Sequence, residues 1–511
     1  MRLLVIPPLV DPTSEPAVPP EVSIVDANRA LLSRLTGAEF LAGLAERLDT
    51  PGTSAAHAVA VRAAMQVLDA PDATGLRALG AVLRAASLDD PAVRLTVDDL
   101  ELVTGTTECG RDVEAAAEGA TLFAPELSDA AEAVRAAGHA HVVVDGDQQL
   151  PAAVRLAQLV GANRLTLCGR FARRYREPLA ALPSLAGACF SGDVLARRVR
   201  WRGAADLAAG APRPGHAPVG SIGPATAPRW VTEPAEVPAG GPWIGWLDAA
   251  DAAGLASAAL DRCRGLTLTV AALPGFDRAI GHSGQTADLR PVINRVAERA
   301  PLAVELVVGA PGVCREAVEH AAHLVAAGAG AGPLATAATR LAGFRPFRLP
   351  RTHRGPWHGY PLRLADPPAG HDLARWRGFA ADRTMTAAQA LDAVHELVRS
   401  TTEASDHFPG RLATAVVAGT RWRDLGRGHC WDPAAQLVEV HCGPDGRGPG
   451  TFLASLRTGR LLRVDDRFAA LLRRLRTGGP PAAAVLDKLP ADRRADLLAR
   501  LRSAGVVRGP R

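Results

Sequence analysis

The chain has 511 residues, room for two to four domains, and 48% of them are hydrophobic. Its net charge of +5 is small for that length, and basic residues alternate with acidic ones. No basic stripe with interleaved aromatics marks a nucleic-acid partner, and no apolar run approaches the roughly 20 residues of a membrane span. Seven cysteines lie far apart without a disulfide-domain spacing, which points to a reducing cytoplasm. Two arginine clusters, Arg170–Arg176 and Arg197–Arg202, read either as solvated faces or as seats for an acidic peptide or a phosphate.

The opening MRLLVIPPLVDP is an apolar run stopped by prolines after Ile6, so it reads as a buried strand, Arg2–Ile6. Val22–Val25 is a second short strand, and Asp26 is placed to cap a helix from Ala27. Leu31, Leu32, Leu35, Leu41, Leu44 and Leu48 recur at helical spacing, and further helices run to Ala86. After Gly105 strands and helices alternate. The strands are Thr121–Ala124, His141–Val144, Arg164–Cys168 and Gly187–Phe190; the helices are Ser128–Ala137, Leu150–Leu159 and Phe171–Leu182. This is a doubly wound α/β sheet, and such sheets bind ligands beyond the carboxyl ends of their strands. Those ends are Asp145-Gly146-Asp147, Cys168-Gly169-Arg170 and Ser191-Gly192-Asp193. Each is either plain turn chemistry or the mouth of a ligand site.

Residues 203–241, rich in Ala, Pro and Gly, read as a linker. A second α/β region follows, with strands Trp243–Leu247, Leu266–Ala271, Leu302–Val308 and Phe344–Leu349. Helices Ala249–Arg262, Asp288–Ala300, Val313–Ala326 and Ala387–Ser400 go with them, and Leu412–Val417 is a further apolar segment. Four to six such units make a partial (β/α) barrel. From Arg421 the pattern changes to strands Leu437–His441, Thr451–Leu456 and Arg460–Val464. Helices then start with Phe468 to Leu475 on one face and continue with Pro481–Leu486 and Ala491–Leu501. That order suggests a small winged-helix-like unit.

Several residue groups can carry chemistry. In HCWDPAAQLVEVHC, His429, Cys430, His441 and Cys442 offer four N/S ligands for a zinc ion if the two segments pair; otherwise they belong to a small core. Arg351, His353, Arg354 and His358 sit in a polar, aromatic loop after a barrel strand. There the histidines can act as acid/base groups or help an arginine hold a carboxylate, or the loop is ordinary surface. Asp406-His407 is an adjacent pair in a loop, and Cys314 lies near a helix start.

Three segments together resemble the cobalamin-binding type of radical S-adenosylmethionine (SAM) proteins, especially those that mature ribosomally made peptide natural products. MRLLVIPP with VSIVDANRALLSRLTGAEFLAGL is similar to that family's first strand, its Asp-x-Asn element (Asp26, Asn28) and the next helix. LPAAVRLAQLVGANRLTLCGRFARRY and LAGACFSGD look like the later half of its cobalamin-binding-like domain. AVELVVGAPGVCREAVEHAAHLVAAG looks like its barrel strand with a Gly-x-Pro-Gly turn. The resemblance implies a cobalamin-binding-like domain over 1–202, a linker over 203–241, a degenerate radical-SAM-like (TIM-barrel-like) region over 242–420 and a winged-helix-like peptide-recognition domain over 421–511. In the cofactor reading Asp145, Gly146, Gly169, Gly192 and Asp193 would line the site.

The departure from the family is specific. Radical SAM chemistry needs three thiolates for a [4Fe–4S] cluster, in the family a C-x-x-x-C-x-x-C triplet after the first barrel strand. In Val237–Asp251 there is no cysteine, and Cys263 alone is near. The resemblance therefore implies a protein without the cluster and without radical cleavage of SAM. It would be a cytoplasmic pseudoenzyme whose partners are a leader peptide and an active radical SAM or other modifying enzyme. An enzyme of changed chemistry stays open: cobalamin- or SAM-dependent methyl transfer, or metal-dependent peptide modification. Trp243 or Trp246 is placed to fill the cavity the cluster leaves.

Overall fold

The computed structural model describes residues 2–508 except 10, 19–20, 53, 98, 200, 202, 209–226, 273–277, 281–285, 328–338, 383, 402–422, 425–428 and 478–479. Leu412–Val417 and Asp406-His407 lie outside the described residues.

Arg2–Ile6 forms the expected strand, with Leu3 to Ile6 buried. It lies inside a five-stranded parallel sheet in the order Val22–Asp26, Arg2–Ile6, Ala140–Val143, Leu165–Cys168, Cys189–Phe190. Numbered along the chain this order is 2-1-3-4-5, and it reverses between the first and third strands. Asp26 caps the helix Ala27–Leu35 as expected, its Oδ1 accepting the Arg29 N–H at 2.8 Å. Helices Ala38–Leu48, Ser54–Met65 and Ala73–Ala86 pack with it around Leu31, Leu44, Leu79 and Leu83.

Thr121–Ala124 is not a strand. The buried carboxylate of Asp90 accepts the backbone N–H groups of Thr121 (2.9 Å) and Leu122 (2.8 Å) and the Thr121 hydroxyl (3.0 Å). Those donors are turned inward, and the chain enters the helix Ala124–Ala137 directly. Ser128 therefore lies inside that helix rather than capping it, and the turn is led by Pro125.

The second sheet holds five parallel strands in sequence order: Arg229–Val231, Trp243–Asp248, Cys263–Ala272, Leu302–Val308 and Thr339–Pro346. Arg229–Val231 lies within the expected linker, yet Val231 is fully buried in the second core. The expected helix Ala249–Arg262 is two short ones, Ala249–Ala253 and Ser257–Leu260, so Cys263 begins a strand instead of ending a helix. Beyond Arg229–Val231 the sheet continues antiparallel through Arg197–Val199 and Ser14–Pro16. Both come from the first α/β region, so the two regions share a sheet.

The C-terminal residues form an antiparallel meander, Ala435–Val440, Gly450–Ser455 and Leu461–Val464, followed by helices Asp466–Arg476, Pro480–Asp487 and Ala491–Ser503. One face of the meander, with Val438, Val440, Phe452 and Ala454, packs on Val59 and Ala63 of the helix Ser54–Met65. The other face, with Ala435, Leu453 and Val464, packs on the C-terminal helices.

Candidate functional site

The mouth of the first sheet is where a ligand would sit, at the point where strand order reverses. Here the chain's own side chains fill it. Gln149 plugs the gap between the first and third strands. Its Oε1 accepts the Asp145 N–H at 2.8 Å, and its Nε2 donates to the Val143 carbonyl at 2.9 Å and the Pro7 carbonyl at 3.4 Å. Asp145 uses both carboxylate oxygens: Oδ1 accepts the Arg170 N–H at 2.8 Å, and Oδ2 accepts Arg197 Nε at 3.0 Å and also Arg197 Nη2. Arg197 Nη1 reaches Ser14 Oγ at 3.0 Å. Arg170 donates to Thr232 Oγ1 at 2.6 Å and pairs with Glu236. Arg170 thus joins the first region to the second, while Arg197 ties the edge strand Arg197–Val199 of the second sheet to the mouth of the first.

The other expected lining residues act as turn groups. Gly169 has φ +105°, and a Cβ there would stand 2.7 Å from both Asp145 Oδ1 and the Val144 carbonyl oxygen, so only glycine lets the turn approach Asp145. Its N–H donates to the Asp193 carbonyl at 2.9 Å, while Asp193 Oδ2 accepts the Ser191 hydroxyl at 2.7 Å. Gly146 precedes a short 3₁₀ turn, Asp147–Gln149, and a Cβ on Gly192 would meet nothing within 4 Å. Burial, with Asp145 and Asp193 nearby, pushes the Cys168 thiol up to about 12, so it stays protonated at neutral pH. A cobalamin needs an open crevice and donors free to meet it. Asp145 is fully engaged and Arg197 lies across the mouth, so these residues do not fit that cofactor.

At the neighbouring strand end, burial pushes the Asp26 carboxyl up to about 6 against the pull of the Arg29 N–H and guanidinium. A folded-state pKa above the unfolded one means that ionising Asp26 costs stability. The cost is absent well below the unfolded value of about 4, grows as pH rises and is complete above the folded value. Asp26→Asn keeps an acceptor for Arg29 N–H and removes the charge. It is expected to stabilise the protein by about 1–2 kcal/mol at pH 7.5 and by several-fold less at pH 4; urea melts at the two pH values measure this.

The second sheet settles the two tryptophans differently. Trp243 is fully buried on the helix side, its Nε1 donating to the Ala259 carbonyl at 2.8 Å. Strand alternation puts Trp246 on the opposite face, where its Nε1 meets Glu305 Oε2 at 3.3 Å. Thr269 Oγ1 donates to the same oxygen at 3.1 Å. Arg345 pairs with it at 3.6 Å, and its guanidinium lies 5.2 Å from the Trp246 ring centre. The two indoles therefore lie on opposite faces of the second sheet. Asp248 caps the following helix by accepting the Asp251 N–H at 2.7 Å. Cys263 is buried and its thiol is pushed up to about 12 by burial, so it is a poor source of the thiolate a metal needs.

The loop after Thr339–Pro346 separates its candidates. His353 and His358 both stand edge-on to the buried Trp357 ring, at centroid distances of 5.4 and 4.6 Å, and Trp357 stands in turn on Phe347 at 5.0 Å. Both imidazoles are thus aromatic packing partners. Arg351 instead lines a cavity of about 330 Å³ with Arg354, Arg377, His371, Asp366 and Asp372. Asp366, His371 and Asp372 lie in the Pro-rich stretch after the loop, whose only signal is its PP turn, and Arg377 lies on the short strand Trp376–Ala380 that follows. Cys314 is exposed just before the helix Arg315–Ala327.

The two His-Cys pairs lie on different sheets. Cys430 pairs with Arg508 in a small sheet, and His429 stands 3.0 Å from the Arg502 guanidinium. His441 and Cys442 follow the meander's first strand, and their N–H groups donate to Asp49 at 2.9 and 2.7 Å. Among the described residues no group of three or more His, Cys, Asp or Glu is arranged to hold a metal. Burial raises the Asp49 carboxyl, but the His441 and Cys442 N–H groups and Arg62 outweigh it and hold the pKa below the usual carboxylate range. Asp49 thereby ties the C-terminal unit to the N-terminal helices.

Among the described residues the meander has one edge left open. Ala435–Val440 is covered by the helix Ser54–Met65, with Gln66 Nε2 on the Leu437 carbonyl at 2.8 Å. Leu461–Val464 has one strand neighbour among the described residues. Ser455 N–H donates to the Arg460 carbonyl, which fixes the ladder's phase. The N–H and C=O groups of Leu461 and Arg463 consequently point away from the neighbouring strand. Leu462, on the face of the C-terminal helices, is 38% exposed.

No protein-family model, no curated protein and no solved structure matches this chain. Among the described residues no helix is long and apolar enough to cross a membrane.

Proposed function

We propose that this chain is a cluster-less relative of the cobalamin-type radical SAM proteins that binds the precursor peptide of a ribosomally made natural product and holds it for a partner modifying enzyme. The 2-1-3-4-5 sheet, the five parallel strands in sequence order read as a partial barrel, and the meander with three helices follow that family's domain order. The observation that carries the reading is the open edge Leu461–Val464, with outward backbone groups at Leu461 and Arg463 and an exposed Leu462 between them. An extended peptide adds to such an edge as a fourth strand: main-chain hydrogen bonds give affinity, and alternate side chains give specificity.

The adjoining helices define the peptide's chemistry. Asp466–Arg476 and Ala491–Ser503 carry four arginines each, against one aspartate in the first and two in the second. The occupant is therefore an acidic leader with apolar residues at every second position. Such a positive field speeds encounter with an acidic partner and weakens with salt.

Titrating the full chain into a labelled precursor peptide encoded beside it, by fluorescence anisotropy, tests the reading. Saturable binding with a Kd of about 10 μM or tighter, retained by the leader half alone, is the expected result. Failure of the leader to bind, or binding by the core half only, contradicts it.

A further inference from the structure

We propose that the cavity between residues 351–354 and 366–372 is a binding site for a small oxyanion, a carboxylate or a phosphate. This is independent of the peptide reading, because the cavity lies on the second sheet's loops rather than in the C-terminal unit.

Some charges in the cavity wall are already matched and others are not. Its volume is about 330 Å³, at the lower end of small-molecule sites. Two carboxylates line it, and each already has a partner, Asp366 within the wall and Asp372 outside it. Asp366 Oδ1 accepts Arg377 Nη2 at 2.8 Å. Asp372 Oδ1 accepts the Gly110 N–H at 2.7 Å, at the start of the helix Gly110–Gly119, and so caps a helix of the first region. Gly110 is needed for that approach, since a Cβ would stand 2.7 Å from Asp372 Oδ2. His371 Nδ1 is turned toward Glu108, 3.6 Å away.

Two guanidinium groups remain. Arg351 Nη1 donates to the Asp372 carbonyl at 2.9 Å. Arg354 Nη1 donates to the carbonyls of Arg351 (2.9 Å) and His353 (3.2 Å). Neither is paired with a carboxylate among the described residues. The carbonyls fix one nitrogen of each fork and leave the others for a ligand. Two positioned guanidinium forks match the geometry of a carboxylate or a phosphate. Arg377, with its side chain 8% exposed and paired to Asp366, completes the wall.

Isothermal titration of the full chain at low salt, with inorganic phosphate in one arm and glutarate in the other, distinguishes the two oxyanions. Saturable binding of at least one, with a Kd below about 10 mM, is expected, and Arg351→Gln/Arg354→Gln should weaken it at least ten-fold. Arg155→Gln, a substitution on the helix Leu150–Val160 outside the cavity, should leave it unchanged. If the double variant does not fold by circular dichroism, Arg354→Gln alone replaces it, since this exposed side chain donates to carbonyls of its own loop; a several-fold loss is then expected. Absence of saturable binding in both arms, or equal binding by the folded variant, overturns the proposal.

Discussion

Arg457→Met is expected to lose about 3–5 kcal/mol of stability in the C-terminal unit, enough to unfold it at physiological temperature. Arg457 and Asp432 form an ion pair with Nε–Oδ2 of 2.6 Å and side-chain exposures of 3% and 0%. Asp432 also accepts the Ala434 N–H at 2.9 Å and donates its own N–H to the Val506 carbonyl at 2.8 Å, so it joins the meander to the end of the chain. Removing the guanidinium leaves an ionised carboxylate in the core with no opposite charge. Replacing both partners removes that uncompensated charge, so Arg457→Met/Asp432→Asn should recover part of the loss. Urea melts of the single and double variants measure the coupling. A single variant within 1 kcal/mol of the parent would show that the pair contributes little. The same variant should abolish leader binding, because the edge Leu461–Val464 is held by this unit.

Arg463→Pro should weaken leader binding ten-fold or more while leaving the fold intact. The ladder phase points the Arg463 N–H outward, so proline there removes no bond to Gly450–Ser455. It removes a donor from the free edge and puts a ring in the path of an added strand. The side chain must be controlled for, because Arg463 pairs with Asp445 at 3.0 Å and its guanidinium lies 5.5 Å from the Phe452 ring centre. Arg463→Ala loses those contacts and keeps the N–H. The account expects it to bind leader within about three-fold of the parent, the range for an exposed ion pair. Equal losses in the two variants would assign the effect to the side chain instead of the backbone.

How far residues alone revealed this arrangement depends on the range of the interactions involved. Arg2–Ile6 and Leu302–Val308 were legible because a strand buried on both faces needs an unbroken apolar run. The Asp26 cap was legible because a cap acts within three residues. Thr121–Ala124 misled because its donors are claimed by Asp90, 31 residues away. Ser14–Pro16 and Arg197–Val199 were invisible for a similar reason. Each is three residues long and partly polar, and its strand partners come from distant parts of the chain.

The candidate site divides in the same way. The turns at Asp145, Gly169 and Asp193 are at the strand ends where alternation places them. What closes them, Arg197 and Gln149, follows from tertiary packing. Arg351 lines a cavity, but its neighbours there are set by Asp372 capping a helix 262 residues earlier. His353 and His358 look like chemistry in sequence and pack on Trp357 in the fold, because an imidazole is also a flat ring that fits an indole edge.

Amide hydrogen exchange of the full chain, with and without the leader peptide, tests the central claim most directly. The account predicts that the Leu461 and Arg463 amides, which have no partner among the described residues, become protected on binding while the Leu462 and Val464 amides change little. Leader binding that leaves Leu461–Val464 unprotected, or protection confined to another segment, would contradict it.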